Sequence, residues 1–185
     1  RSHKLTGEMA ESAALSLGGA MKALTAYTPE LAKEIKQTIR KDPAVHGAYD
    51  LILHSYGPER LIGSVHVEVP DTMNAEEIDT MTRRITEDVY REHGILLTGL
   101  SIYSMNTRDE ESKEIRQRIS QIATSHDGVL QIHGFYVSQE KKTIHFDVII
   151  DYAREDRELI FADIVKEVQE AYPEYQIFPV MDIDI

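Results

Sequence analysis

Cysteine is missing altogether from the 185 residues, which excludes disulfides, thiolate nucleophiles and cysteine-based zinc knuckles and permits a reducing compartment. Also missing is any apolar run approaching the roughly 18–20 residues that a membrane helix needs, so the chain as given is not expected to span a bilayer. No apolar region of a secretory leader follows Arg1-Ser2-His3-Lys4, and the start reads as that of a processed or cloned fragment. Positive charge is scarce: 20 Lys and Arg against 32 Asp and Glu give a net charge of −12. Such a chain repels nucleic acid and anionic lipid and attracts cations, so no nucleic-acid partner is expected. An RNA-binding sheet would need basic charge beside its aromatics, and the same imbalance argues against it. The sequence also lacks a nucleophile–base pair, a phosphate-cradling glycine loop and a metal motif with an attached general base, so no enzyme is expected.

What is present is ordinary globular composition, 42% hydrophobic and 28% charged, arranged as a repeat. Residues 1–27 read as a linker or a cloning-derived lead, with a helix-compatible stretch from Met9 to Leu24. Thr28-Pro29 is a helix start, an N-cap followed by proline at the first helical position. Leu31, Ile35 and Ile39 share one face, and Asp42-Pro43 ends the helix. Two strand-like runs follow, Val45 to His54 and Leu61 to Val69; in the second, Val65, Val67 and Val69 alternate with His66 and Glu68. Asn74 and Glu77 form a capping-box pattern ahead of a second helix with a stripe of Ile78, Met81, Ile85 and Val89, which Gly94 stops. A third strand runs from Ile95 to Tyr103.

The order then recurs: a helix near Asp109–Thr124, strands Val129–Val137 and Thr143–Ile150, a helix carrying Ile160, Ile164 and Val168, and a last strand Gln176–Ile185. This is an internal duplication with a period of about 80 residues, longer than that of solenoid repeats. The fold class is therefore α+β, two tandem αββαβ units, each covering one sheet face with its two helices. The crossover rule suggests that the first strand of each unit lies between the other two. The opposite sheet face is left open, and needs a partner, a ligand or solvent.

Three strands of the second unit aim metal-capable groups at that open face. His133 sits on the first and His145 on the second, while Asp182 and Asp184 share a face of the third. Imidazole with carboxylate suits Zn²⁺ and other first-row divalent ions. His46, His54, His93 and His126 fall at element ends and read as surface residues.

The run Val45-His46-Gly47-Ala48-Tyr49-Asp50-Leu51, then Tyr56-Gly57-Pro58 and Val65-His66-Val67-Glu68-Val69, resembles the C-terminal cytoplasmic domain of cation diffusion facilitator (cation efflux) transporters. Pro29-Glu30-Leu31-Ala32-Lys33-Glu34-Ile35 is similar to that family's entry into the domain. The resemblance covers residues 28–105, and 109–185 follow through the duplication. It implies a ferredoxin-like, metallochaperone-like fold, with a first cytoplasmic domain at 28–106 and a second at 107–185. It also implies a homodimer on the cytoplasmic face of the cell membrane, bound to the membrane domain of the same transporter, which this chain lacks. The metal would sit where two cytoplasmic domains meet. Zn²⁺ is the foremost candidate, with Mn²⁺, Co²⁺, Ni²⁺ and Fe²⁺ compatible.

Carried over residue by residue, the resemblance makes His133, His145, Asp182 and Asp184 the second-copy ligands. In the first copy His66 matches the family's second-strand histidine, while Tyr49, Tyr103 and Met105 replace the other ligands. Asp79 and Glu158 fall near a helix position that carries a ligand in relatives. The function so implied is dimerisation and metal sensing in a divalent-cation efflux transporter. The alternative is a ferredoxin-like regulatory module that binds a small molecule for a metabolic protein, a role for which neither His46-Gly47 nor Asp127-Gly128 supplies a decisive loop.

Overall fold

Thr28 opens the first element by accepting the Leu31 amide on its hydroxyl at 3.1 Å, and Pro29 occupies the first turn of α1, Pro29–Ile39. The computed structural model describes residues 28–57 and 60–182; the stretch Met9–Leu24 and Asp184 lie outside them. After α1 come β1 (Gly47–Ser55), β2 (Leu61–Pro70), α2 (Ala75–His93) and β3 (Leu96–Met105). The second unit repeats the order as α3 (Glu110–Ser125), β4 (Val129–Ser138), β5 (Thr143–Ile150), α4 (Arg157–Ala171) and β6 (Gln176–Asp182).

The boundaries follow local chemistry. Asn74 accepts the Glu76 and Glu77 amides at 2.9 and 3.1 Å, and the Glu77 carboxylate accepts the Asn74 amide at 2.8 Å, closing the capping box that starts α2. Gly94, at φ 68°, ends that helix in the left-handed conformation that suits glycine. Asp109 caps α3 in the same manner, accepting the Ser112 amide at 3.2 Å. Asn74→Ala should cost about 1 kcal/mol of stability; a urea midpoint unchanged from wild type would show that the box contributes nothing.

Each unit builds one three-stranded sheet, in the orders β1-β2-β3 and β4-β5-β6. The second strand is therefore central, not the first as the crossover rule suggested. The reason is that β2–α2–β3 connects neighbouring strands: β1 pairs antiparallel with β2, and β2 pairs parallel with β3 without a gap for β1. Right-handedness fixes the side on which the helix lies, and leaves open whether a strand is inserted.

Both helices of each unit cover one sheet face. In the first, Ile35, Ile39, Met81, Ile85 and Val89 pack on Leu51, Val65 and Val67. In the second, Ile119, Ile164 and Val168 pack on Ile144, Phe146 and Val148. Two separate cores result, each side chain contributing about 1.5–3 kcal/mol by leaving water.

The other sheet faces are not both open to solvent. Glu68, opposite the core on β2, is 2% exposed because the second copy covers it: Arg116 of α3 reaches across to its carboxylate at 2.8 Å. Asn106, between the copies, accepts the Val137 amide of β4 at 2.9 Å. The surface that the sequence left in need of a partner is thus partly covered within one chain.

Candidate metal centre

The site forms where β1 and β4 meet, and a backbone irregularity in each strand creates it. The β1–β2 ladder breaks between Tyr49 and Ile52, and the β4–β5 ladder between His133 and Tyr136. Each break holds an extra residue at positive φ, Asp50 at 51° and Gly134 at 60°, as β-bulges do. The bulge lets Leu51 return to the core, where it is 2% exposed, and turns Asp50 toward the second copy.

His133 is the centre of the arrangement. Its side chain is wholly buried, and Nε2 lies 3.2 Å from Asp50 Oδ1, 3.4 Å from Asp182 Oδ2 and 3.9 Å from Asp147 Oδ2. Its ring stacks on Tyr49 with centroids 4.6 Å apart and planes 13° apart. The other ring nitrogen, Nδ1, has no hydrogen-bond partner. Asp50, His133 and Asp182 offer ligand atoms all within 4.8 Å of one another, the one such group among the described residues. Around it, His66 Nδ1 lies 2.8 Å from Asp50 Oδ2, a close contact off the line of a hydrogen bond. The Tyr103 hydroxyl contacts both Asp50 and Asp147, at 3.0 and 3.2 Å.

Protonation follows from this crowding. Burial by itself would depress the His133 pKa, but the hydrogen bond to Asp50 and the charges of Asp50, Asp147 and Asp182 outweigh it, and the net shift is upward. Burial likewise opposes ionisation of Asp50, yet contacts with His133, Asp182 and Tyr103 hold it well below the usual carboxylate range. Burial raises Asp147. It also raises Tyr103, helped by the Asp50 charge, so that the phenol stays protonated. Three carboxylates converge on one imidazole, and a divalent cation fits that donor set: one imidazole nitrogen and carboxylate oxygens, as first-row divalent ions prefer.

The pH dependence of the metal-free chain has a definite sign. A histidine whose folded pKa is raised contributes stability that is complete below about 6.5 and lost as pH rises through the raised value. Metal-free chain is therefore expected to melt lower at pH 8 than at pH 6.5, and Zn²⁺, which needs neutral imidazole, should remove that difference. A metal-free melting temperature that rises over this interval would contradict the assignment of charge at His133.

The site residues expected from sequence divide into several groups. The structure brings His133 and Asp182 together. Asp184 lies outside the described residues. His66 reaches Asp50 and stacks on Tyr103, with centroids 4.7 Å apart. His145 is exposed and stacks on Phe178 at 4.6 Å, away from the cluster. The register explains this: Tyr49 faces His66 and His133 faces Asp147, so Asp147, not His145, is the counterpart of His66. Glu158 is exposed in the first turn of α4. Asp79 is held by Arg83 on α2 at 2.8 Å. Asp50 and Asp147 join the cluster without being expected from the sequence, Asp50 even though it directly follows Tyr49 in the run that resembles the family.

Fold and site together define a duplicated ferredoxin-like module with a buried histidine–carboxylate cluster between its halves. Residues 28–98 match the family model described as cation efflux protein, cytoplasmic domain. That match falls within the first unit and covers less than half of the chain. No curated protein matches the sequence. Among solved structures, the C-terminal domain of MamM in a cadmium form is 12% identical, covering 44% of this chain and 100% of that one, with a TM-score of 0.37. The metal-bound C-terminal domain of the CzcD transporter from Thermotoga maritima is 14% identical, covering 44% of this chain and 92% of that one, with a TM-score of 0.36. No helix among the described residues is long and apolar enough to cross a membrane.

Proposed function

We propose that this chain is the metal-sensing cytoplasmic region of a divalent-cation efflux transporter, and not an enzyme. On this reading residues 28–106 and 107–185 are its two cytoplasmic domains, and a divalent ion binds between them. The observation that carries the reading is the burial of His133 with its Nε2 turned to carboxylates of both copies, Asp50 from the first and Asp182 from the second. Zn²⁺ is the ion that the donor set suits best; Mn²⁺, Co²⁺, Ni²⁺ and Fe²⁺ remain compatible.

Sensing follows if the ion gains its full ligand set only when the two halves stand close. Binding then favours the closed arrangement by the difference in affinity between open and closed states, and coupling on the order of 1–3 kcal/mol changes populations severalfold to a hundredfold. The partner that reads the change is the membrane part of the same transporter, and the parent assembles as a homodimer in this proposal. The test is calorimetric titration with Zn²⁺ alongside small-angle scattering. Saturable binding with a more compact particle is expected. Absence of saturable binding would overturn the metal reading, and binding with no change in scattering would overturn sensing.

A further inference from the structure

We propose that each chain binds one divalent ion, not two, and that its own two copies hold it without a second chain; this rests on the metal reading above. The copies are related residue by residue. Tyr49 and His133 occupy the same ladder position, each followed by a residue at positive φ, so Asp50 corresponds to Gly134. His66 pairs with Ser101, and Asp147 with Val180, so two residues on Tyr103 corresponds to Asp182.

Across the junction Tyr49 stacks on His133, its own counterpart, at 4.6 Å. Contact between equivalent residues is the mark of a local two-fold, the relation that in a symmetric dimer makes every site appear twice. The image of Asp50, His133 and Asp182 under that relation is Gly134, Tyr49 and Tyr103. None of these is an imidazole or a carboxylate. A Cβ at Gly134 would lie 2.5 Å from Asp147 Oδ2, so a side chain there would have to displace that carboxylate.

The image site is instead filled by aromatic rings and closed by hydrogen bonds. Tyr103 is in contact with Asp50 and Asp147, and its ring lies over His66. The duplication has thus made an asymmetric pair from an arrangement that would be symmetric with identical halves. The first copy supplies Asp50 and the second supplies His133 and Asp182, so the ion ties one half of the chain to the other.

Native mass spectrometry of the whole chain with Zn²⁺, after a weak chelator has removed loosely held ions, counts the sites. One ion per monomeric mass is expected, with Asp50→Ala and Asp182→Ala each weakening binding at least tenfold and Tyr49→Phe leaving the count at one. Circular dichroism of the two aspartate variants separates lost ligands from lost fold, and if either alanine variant unfolds, Asp50→Asn and Asp182→Asn take their place with the same expected loss. Two tightly held ions per chain, one ion per two chains, or one ion indifferent to the change at Asp50 would each overturn the inference while leaving metal binding intact. Failure to retain any ion would overturn the underlying reading instead.

Discussion

His133→Ala is expected to weaken divalent-metal binding by more than about 100-fold, the upper range for losing a group that merely supports a ligand. His133 is the one imidazole in the three-residue group, and its Nε2 faces Asp50, Asp147 and Asp182. Its removal takes away the nitrogen donor and leaves the carboxylates facing one another across a cavity. The metal-free variant should therefore also lose stability. Zinc affinity measured by competition with a chromophoric chelator, with circular dichroism as a check on folding, is the appropriate readout. By contrast His145→Ala should change affinity less than about twofold, because that ring stacks on Phe178 at the exposed part of the sheet. A variant at His145 that behaved like the one at His133 would place the ion elsewhere on β5.

Arg116→Ala should destabilise the junction between the copies by about 3 kcal/mol, the lower end for breaking a buried ion pair. Glu68 is 2% exposed and Arg116 lies 2.8 Å from its Oε1. Removing the guanidinium leaves a buried carboxylate without its cation, and desolvation of that charge is most of the cost. Arg116 keeps some contact with water, its side chain 29% exposed, which is why the lower end applies. The double variant Glu68→Leu/Arg116→Leu removes both charges and should recover most of the loss. Urea unfolding followed by circular dichroism checks both values. An Arg116→Ala chain as stable as wild type would mean that the copies do not depend on this contact.

Much of the fold was legible in the sequence because its signals are local. The Asn74–Glu77 capping box, the Gly94 stop and the alternation of Val65, Val67 and Val69 act within a few residues, and all appear as read. The duplication was legible because the same signals recur in the same order. The strand order was not, since whether a βαβ connection skips a strand is decided by packing beyond the connection itself. His133 and Asp182 could be picked out by residue type and face.

Asp50 could not be picked out in that way. Strict alternation puts it on the side opposite Tyr49, toward the core, and only the bulge turns it outward; its sole trace is that Leu51, directly after it, is also a core residue. Asp147 was obscured by the wrong register, which matched His66 with His145. The covering of Glu68 by Arg116 joins residues far apart in the chain, and periodicity carries no trace of such a contact.

Crystals grown with Zn²⁺ and measured at the zinc absorption edge show directly where an ion binds. An anomalous peak is expected between Asp50, His133 and Asp182 of the same chain, with zinc–ligand distances near 2.0–2.2 Å. A peak at His145, or one bridging two chains with His133 left uncoordinated, would contradict it.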